Sequence, residues 1–206
     1  MTLTVITPGR FTAPGLPDLG AHGFTDTFSR GDATTLGRTE APRRAWSLSG
    51  GGAPTAGIMG GTAYLHNTTS NYARQVALVE AYTGDAVAEL TLSHLDTANA
   101  VHQFGLAFRS TSIQSCWTFQ AHGQTQYRLS TLVGTSQTDV QRIDQVPQVG
   151  DVLRVEADGT QIRAFVNGVE VAQTTSDVMV GQTMFGLYSN MSTPASRASR
   201  ISVAPL

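Results

Sequence analysis

The chain contains no lysine: all 13 of its basic residues are arginine. A GC-rich coding sequence explains that bias, and planar guanidinium contacts at interfaces are compatible with it. Charge is scarce, with Asp, Glu, Lys and Arg making up 14% of residues and the net charge at −2. That balance leaves no electrostatic footprint for nucleic acid. Cys116 is the single cysteine, so an intramolecular disulfide is excluded. The segment SCWTF around it reads as a strand carrying a buried thiol, and no spacing supplies the base that a nucleophilic cysteine needs. No run approaches the ~20 apolar residues of a membrane-spanning helix. The opening MTLTVITPGRF lacks a basic stretch followed by an apolar core, so it does not read as a secretory signal. No repeat of 20–50 residues is visible.

What is present is alternation. In Gly150–Thr175, Leu153, Val155 and Ala157 alternate with Val152, Arg154 and Glu156, and Ile162, Ala164 and Val166 alternate with Arg163 and Phe165. Period two marks a strand with one buried face. Asp158-Gly159 and Asn167-Gly168 between the runs are hairpin signals, because type I′ turns need φ > 0 at both central residues. The stretch is read as a three-stranded antiparallel meander. Similar runs occur at Trp46–Leu48, in a hairpin Ile58–Leu65 turning on Gly60-Gly61, and at 74–80, 86–92, 103–109, 116–121, 127–133, 138–143, 184–188 and 200–203. About a dozen strands result. The nearest thing to a helix is a single turn at Asp32–Leu36. At 206 residues, one large all-β domain accounts for the chain.

Residues 1–22 stand apart. Pro8, Pro14 and Pro17, with Gly9, Gly15 and Gly20, break any long element. The segment reads as an extended arm with one short strand at Leu3–Ile6, a docking element for a partner, with an arm packed on its own domain or a disordered tail as the alternatives, followed by a sandwich domain at 23–206.

The segment Phe24-Thr-Asp26-Thr-Phe28-Ser-Arg30-Gly-Asp32-Ala-Thr-Thr-Leu36-Gly37 resembles the opening of concanavalin A-like (laminin-G-like) jelly-roll domains. Those domains occur in minor tail and other virion proteins of phages that infect actinobacteria. Trp46, the hairpin Gly57–Tyr64, the strand Gly105–Arg109, the meander and Gly186-Leu187-Tyr188 follow in the same order, so the resemblance covers about residues 24–204. It implies an antiparallel jelly-roll β-sandwich acting as a non-enzymatic virion component, a minor tail protein at the tail tip or fibre. The implied partners are other virion proteins held through residues 1–22, a host cell-surface glycan, and further copies of the chain in the particle. The implied location is the virion, assembled in the host cytoplasm. The alternatives are a capsid-decoration or head-fibre protein and a stand-alone carbohydrate-binding domain. In physical terms Phe24, Phe28 and Leu36 bury one face, while Arg30 and Asp32 pair or fix the turn.

Three places in the chain carry residues suited to chemistry. Glycoside hydrolases place paired carboxylates across the scissile bond. The nearest pair here is Glu156 and Asp158, and Asp158 sits at a hairpin turn. Glu80 and Glu89 each lack an acidic neighbour two residues away, so no catalytic residue is assigned. Among the histidines, His94 and His102 flank a loop in which Asp96 and Asn99 offer oxygens to Ca²⁺. A solvated polar loop is the simpler reading, and no cofactor is expected. Finally, strands 103–109, 116–121 and 127–133 in one register show Arg109, Thr118, Gln120, Arg128 and Ser130 on a common polar face suited to a glycan or a partner. Trp117 and Tyr127 then belong to the core. A one-residue slip would expose them instead as an aromatic platform.

Overall fold

The alternating runs become strands wherever one face is apolar and a turn-forming pair follows. The structure, a computed structural model, describes residues 22–69, 72–96, 98–112, 115–134 and 136–206. They form fifteen strands: β1 (Phe24–Asp26), β2 (Ser47–Gly50), β3 (Pro54–Met59), β4 (Thr62–Asn67), β5 (Gln75–Glu80), β6 (Ala86–His94), β7 (Gln103–Ser112), β8 (Ser115–His122), β9 (Gln126–Val133), β10 (Ser136–Ile143), β11 (Val152–Asp158), β12 (Gln161–Val166), β13 (Val169–Thr175), β14 (Met184–Ser189) and β15 (Arg197–Pro205). There is no helix among the described residues. The arm and the strand expected at Leu3–Ile6 lie outside them, apart from His22.

The strands make two antiparallel sheets. One runs β13-β12-β11-β6-β15-β4-β3, with β1 also paired to β15; the other runs β10-β9-β8-β7-β14-β5-β2. The result is an all-β jelly-roll sandwich. Its inner faces meet through Leu90, Leu153, Val155, Ile162 and Ile201 from one sheet and Leu106, Phe119, Leu129, Phe185 and Leu187 from the other, all fully buried. Trp117 and Tyr127 are in this core, as the chosen register requires. Trp117 stacks on Phe108 at 6.0 Å and donates from Nε1 to Val178 O at 2.9 Å. Tyr127 donates its hydroxyl to the buried Asp151 carboxylate, which also takes the Asn167 amide at 2.7 Å.

Turn chemistry sets the meander. Val166 faces Val169, and Asn167 and Gly168 between them have φ of 52° and 80°, the left-handed pair of a type I′ hairpin. The preceding hairpin is one residue later than expected. Asp158 still pairs with Gln161, so the turn is Gly159-Thr160 with only Gly159 at positive φ. A glycine leading a two-residue turn is the type II′ solution.

The opening segment is organised by Asp26, which is fully buried. Arg30 grips it with Nη1 at 2.6 Å and Nη2 at 3.0 Å, and Trp46 Nε1 donates to it at 2.9 Å. Arg30 therefore pairs with Asp26 rather than with Asp32, whose carboxylate instead caps the amide of Gly60 at 2.7 Å. The helical turn expected at Asp32–Leu36 is a strap. Ala33 exchanges backbone bonds with Ile58 of β3, and Gly37 O takes the amide of Trp46 just ahead of β2. The described chain enters and leaves at one corner: His22 Nδ1 lies 2.8 Å from Tyr82 O, and Leu206 N donates to Asp85 O.

Candidate binding face

Strand pairing decides which side chains share a face. In the seven-stranded sheet Thr118 lies opposite Ser130, Gln120 opposite Arg128 and His122 opposite Gln126. On the other side of β8, His122 pairs with Gln103 and Gln120 with Gly105. All of these alternate with the core residues, so they project from the face turned away from the sandwich interior. One end of that face is apolar, a second cluster of Val76, Leu78, Ala107, Cys116, Leu132 and Tyr188. Burial there pushes the Cys116 thiol up to about 12, which leaves it protonated and without nucleophilic character.

The other end is polar and nearly closed. Gln103 Oε1 accepts from Tyr188 OH at 2.8 Å and from Gln120 Nε2 at 3.2 Å. Gln137 reaches over from β10 to bring its Nε2 within 3.5 Å of the same oxygen. Asp139 takes Ser130 Oγ at 3.0 Å, Arg128 Nη1 at 3.1 Å and Arg142 Nε at 3.0 Å. Gly105 makes room for this crowding: a Cβ there would lie 2.3 Å from Phe119 O and 2.9 Å from the Gln120 Cβ.

The bonding is incomplete along β8. Among the described residues, Thr118 Oγ1, Gln120 Oε1 and His122 Nδ1 are buried and have no hydrogen-bond partner. They belong to consecutive same-face residues, about 7 Å apart along the strand. Each unmet group costs about 1–3 kcal/mol, and buried polar atoms are otherwise almost always paired. Burial and then the nearby Arg128 charge lower His122 to about 4, so at neutral pH its ring is uncharged. Arg128 is itself lowered by burial, against the pull of Asp139. The face thus carries hydroxyl, amide and imidazole groups, with a guanidinium–carboxylate network at its border.

Of the five residues that the sequence placed on this face, the structure brings four together: Thr118, Gln120, Arg128 and Ser130. Arg109 is elsewhere. The ladder between β7 and β8 breaks after Phe108, and Arg109 takes a positive φ of 44°. That bulge turns the side chain out of the alternation and into full burial. It donates there to Gly84 O at 3.1 Å and Asp85 Oδ1 at 2.9 Å. Sequence reading did not include Gln103, His122, Gln137, Asp139 or Tyr188. His122 was within reach, because it is two residues beyond Gln120 on a strand that runs one residue further than expected.

The other candidates have local partners. Asp96 accepts from Ala98 N at 2.8 Å and contacts His102 Nδ1; Asn99 accepts from Val101 N at 3.1 Å. No group of three or more His, Cys, Asp or Glu side chains converges among the described residues. Glu156 is ion-paired with Arg154 and Arg163 on the outer face of the other sheet.

No family model matches the chain, and no curated protein does. Solved structures do match in shape. A carbohydrate-binding module from Bacillus subtilis superposes with a TM-score of 0.52 at 13% identity, covering 90% of this chain and 93% of that one. A protein of unknown function from Shewanella oneidensis gives 0.55 at 11% identity, over 96% and 95%. Domain 4 of a GH43 extracellular arabinanase from Geobacillus stearothermophilus, solved with arabinotriose, gives 0.52 at 11% identity, over 89% and 90%. At these identities the likeness is one of fold. No helix among the described residues is long and apolar enough to cross a membrane.

Proposed function

We propose that this chain is a non-catalytic glycan-binding jelly-roll module. Its ligand lies along β8 on the outer face of the seven-stranded sheet. The observation that carries this reading is the row of unpartnered buried atoms, Thr118 Oγ1, Gln120 Oε1 and His122 Nδ1. Sugar hydroxyls donate and accept and so satisfy all three. Binding requires the Gln137 side chain to swing off Gln103. The fold neighbours support the class of ligand without establishing it, since one fold hosts many functions. The absence of a catalytic role rests on the carboxylates: Glu156 and Asp139 are both held by arginines.

The test is calorimetric titration of the wild type and Gln120→Ala against soluble arabinan, levan, galactan and mycobacterial arabinogalactan. Binding to at least one polymer, lost in Gln120→Ala at unchanged melting temperature, is expected. No binding to any of them, or equal binding by the variant, would overturn the reading.

For the setting of the module we propose a phage tail tip or fibre, where glycan binding would serve host attachment. The support is the ordered motif set from Phe24 to Tyr188. Mass spectrometry of purified particles tests it, and absence of the chain from them would refute it.

A further inference from the structure

The two sheets leave a gap on the side where their edge strands β2 and β3 run, far from β8. A cleft of about 400 Å³ opens there, within the range of small-ligand sites. The strap at residues 33–37 spans it, tied to β3 through Ala33 and to Trp46, just ahead of β2, through Gly37.

Backbone alternation fixes what the walls present. Trp46 turns its amide away from β5 to Gly37 O, so Leu48, two residues on, turns its N–H and C=O the same way. Ile58 turns both groups away from β4 to Ala33, so Ala56 does likewise. Leu48 and Ala56 line the cleft and carry no cross-strand bond on that side among the described residues. Among the residues lining it, Thr34 and Thr35 are exposed and Thr55 half-buried, whereas Leu36 and Ala77 are buried and apolar. Trp46 adds only carbon surface, because its Nε1 is committed to Asp26. None of the described lining side chains is charged.

We infer that this cleft is a second binding site, for one neutral sugar ring. An apolar patch beside an indole suits a ring's C–H face. Paired donors and acceptors above it suit ring hydroxyls, and an uncharged lining among the described residues suits a neutral ligand. An extended peptide fits less well. β2 is four residues long, β3 begins at Pro54, which has no N–H, and the Ile58 edge is already occupied by Ala33. One free residue per wall is too little to hold a strand. The inference shares its ligand class with the proposed function but rests on different residues.

The experiment is an amide and indole NMR titration of the full chain with D-fructose and the methyl glycosides of D-galactose, D-glucose and L-arabinose. The expected result is saturable shifts at Leu48, Ala56 and the Trp46 indole with at least one sugar. These shifts should persist in Gln120→Ala. They should disappear in Thr35→Trp, whose indole fills the cleft from an exposed position, and the affinity should fall about tenfold in Thr55→Val. If Thr35→Trp does not fold, Thr55→Val alone decides. No shift with any sugar would overturn the inference. So would loss of the shifts in Gln120→Ala, or shifts produced by a Thr2–Ile6 peptide and not by the sugars.

Discussion

Arg109 donates from Nη2 to Asp85 Oδ1 at 2.9 Å, and the same oxygen accepts the amide of Gly159 at 3.0 Å. The guanidinium is fully buried while the carboxylate remains 54% exposed. A strand of one sheet is thereby joined, through a single oxygen, to a hairpin turn of the other. Burial lowers the Arg109 pKa, and Asp85 opposes that shift. Arg109→Ala removes both bonds and a buried aliphatic stem, and should cost about 2–3 kcal/mol. Arg109→Lys should recover little, because an ammonium cannot serve Gly84 O and Asp85 in the same plane. Urea unfolding measures both; an unchanged midpoint in Arg109→Ala would show that the joint is dispensable.

Phe28 is fully buried against Trp46, with ring centroids 5.9 Å apart, and has φ of 55°. Phe28→Ala should cost roughly 3–5 kcal/mol. Phe28→Gly removes the same ring but relieves the left-handed backbone, so it should be no less stable than the alanine variant. Thermal unfolding of the pair separates packing from backbone strain.

His122 sets a pH dependence. Its folded pKa is about 4, whereas an unfolded histidine titrates near 6.5. Between those values the unfolded chain binds more protons than the folded one. Stability therefore falls as pH drops through that window and levels off below it. The melting temperature of His122→Gln should fall less steeply with pH than that of the wild type over the same interval. Parallel curves would mean that the ring is solvated.

Gln137 covers the polar end of the sheet face at its 3.5 Å approach to Gln103. Gln137→Ala should strengthen binding of any polymer bound by the wild type, by about threefold, because no side chain has to be displaced. Weaker binding by this variant would mean that Gln137 contacts the ligand instead of covering it.

Residues 1–22 carry the proposed docking role. Their deletion should leave the melting temperature of the sandwich unchanged and abolish incorporation into particles. Normal incorporation of the shortened chain, followed by immunoblotting of purified particles, would end that idea.

The jelly-roll class was legible in the sequence because alternation and turn pairs act locally. The register of β8 and β9 was legible in part: alternation puts Trp117, Phe119 and Tyr127 on one face, and the strand pairing turns that face to the core. Arg109 was misplaced because alternation assumes a continuous ladder, and nothing in FRSTS announces a residue at positive φ. Asp158 and Gly159 signal a turn, but whether it starts before or after Asp158 depends on pairing with Gln161. The unpartnered atoms of Thr118, Gln120 and His122 could not be read at all. Being unsatisfied is a property of the surroundings, supplied here by Gln103 of β7 and by Gln137 and Asp139 of β10.

β1 and β15 run antiparallel with Phe24 beside Val203, so the two ends of the described chain leave from the same corner. A force applied between residue 22 and residue 206 would load these bonds one after another, as in a zipper, and not all together in shear. The sandwich is therefore a soft link when it is pulled from both ends. A ligand held on β8 and pulled against either end would draw instead on the inner strands, where adjoining ladders share the load.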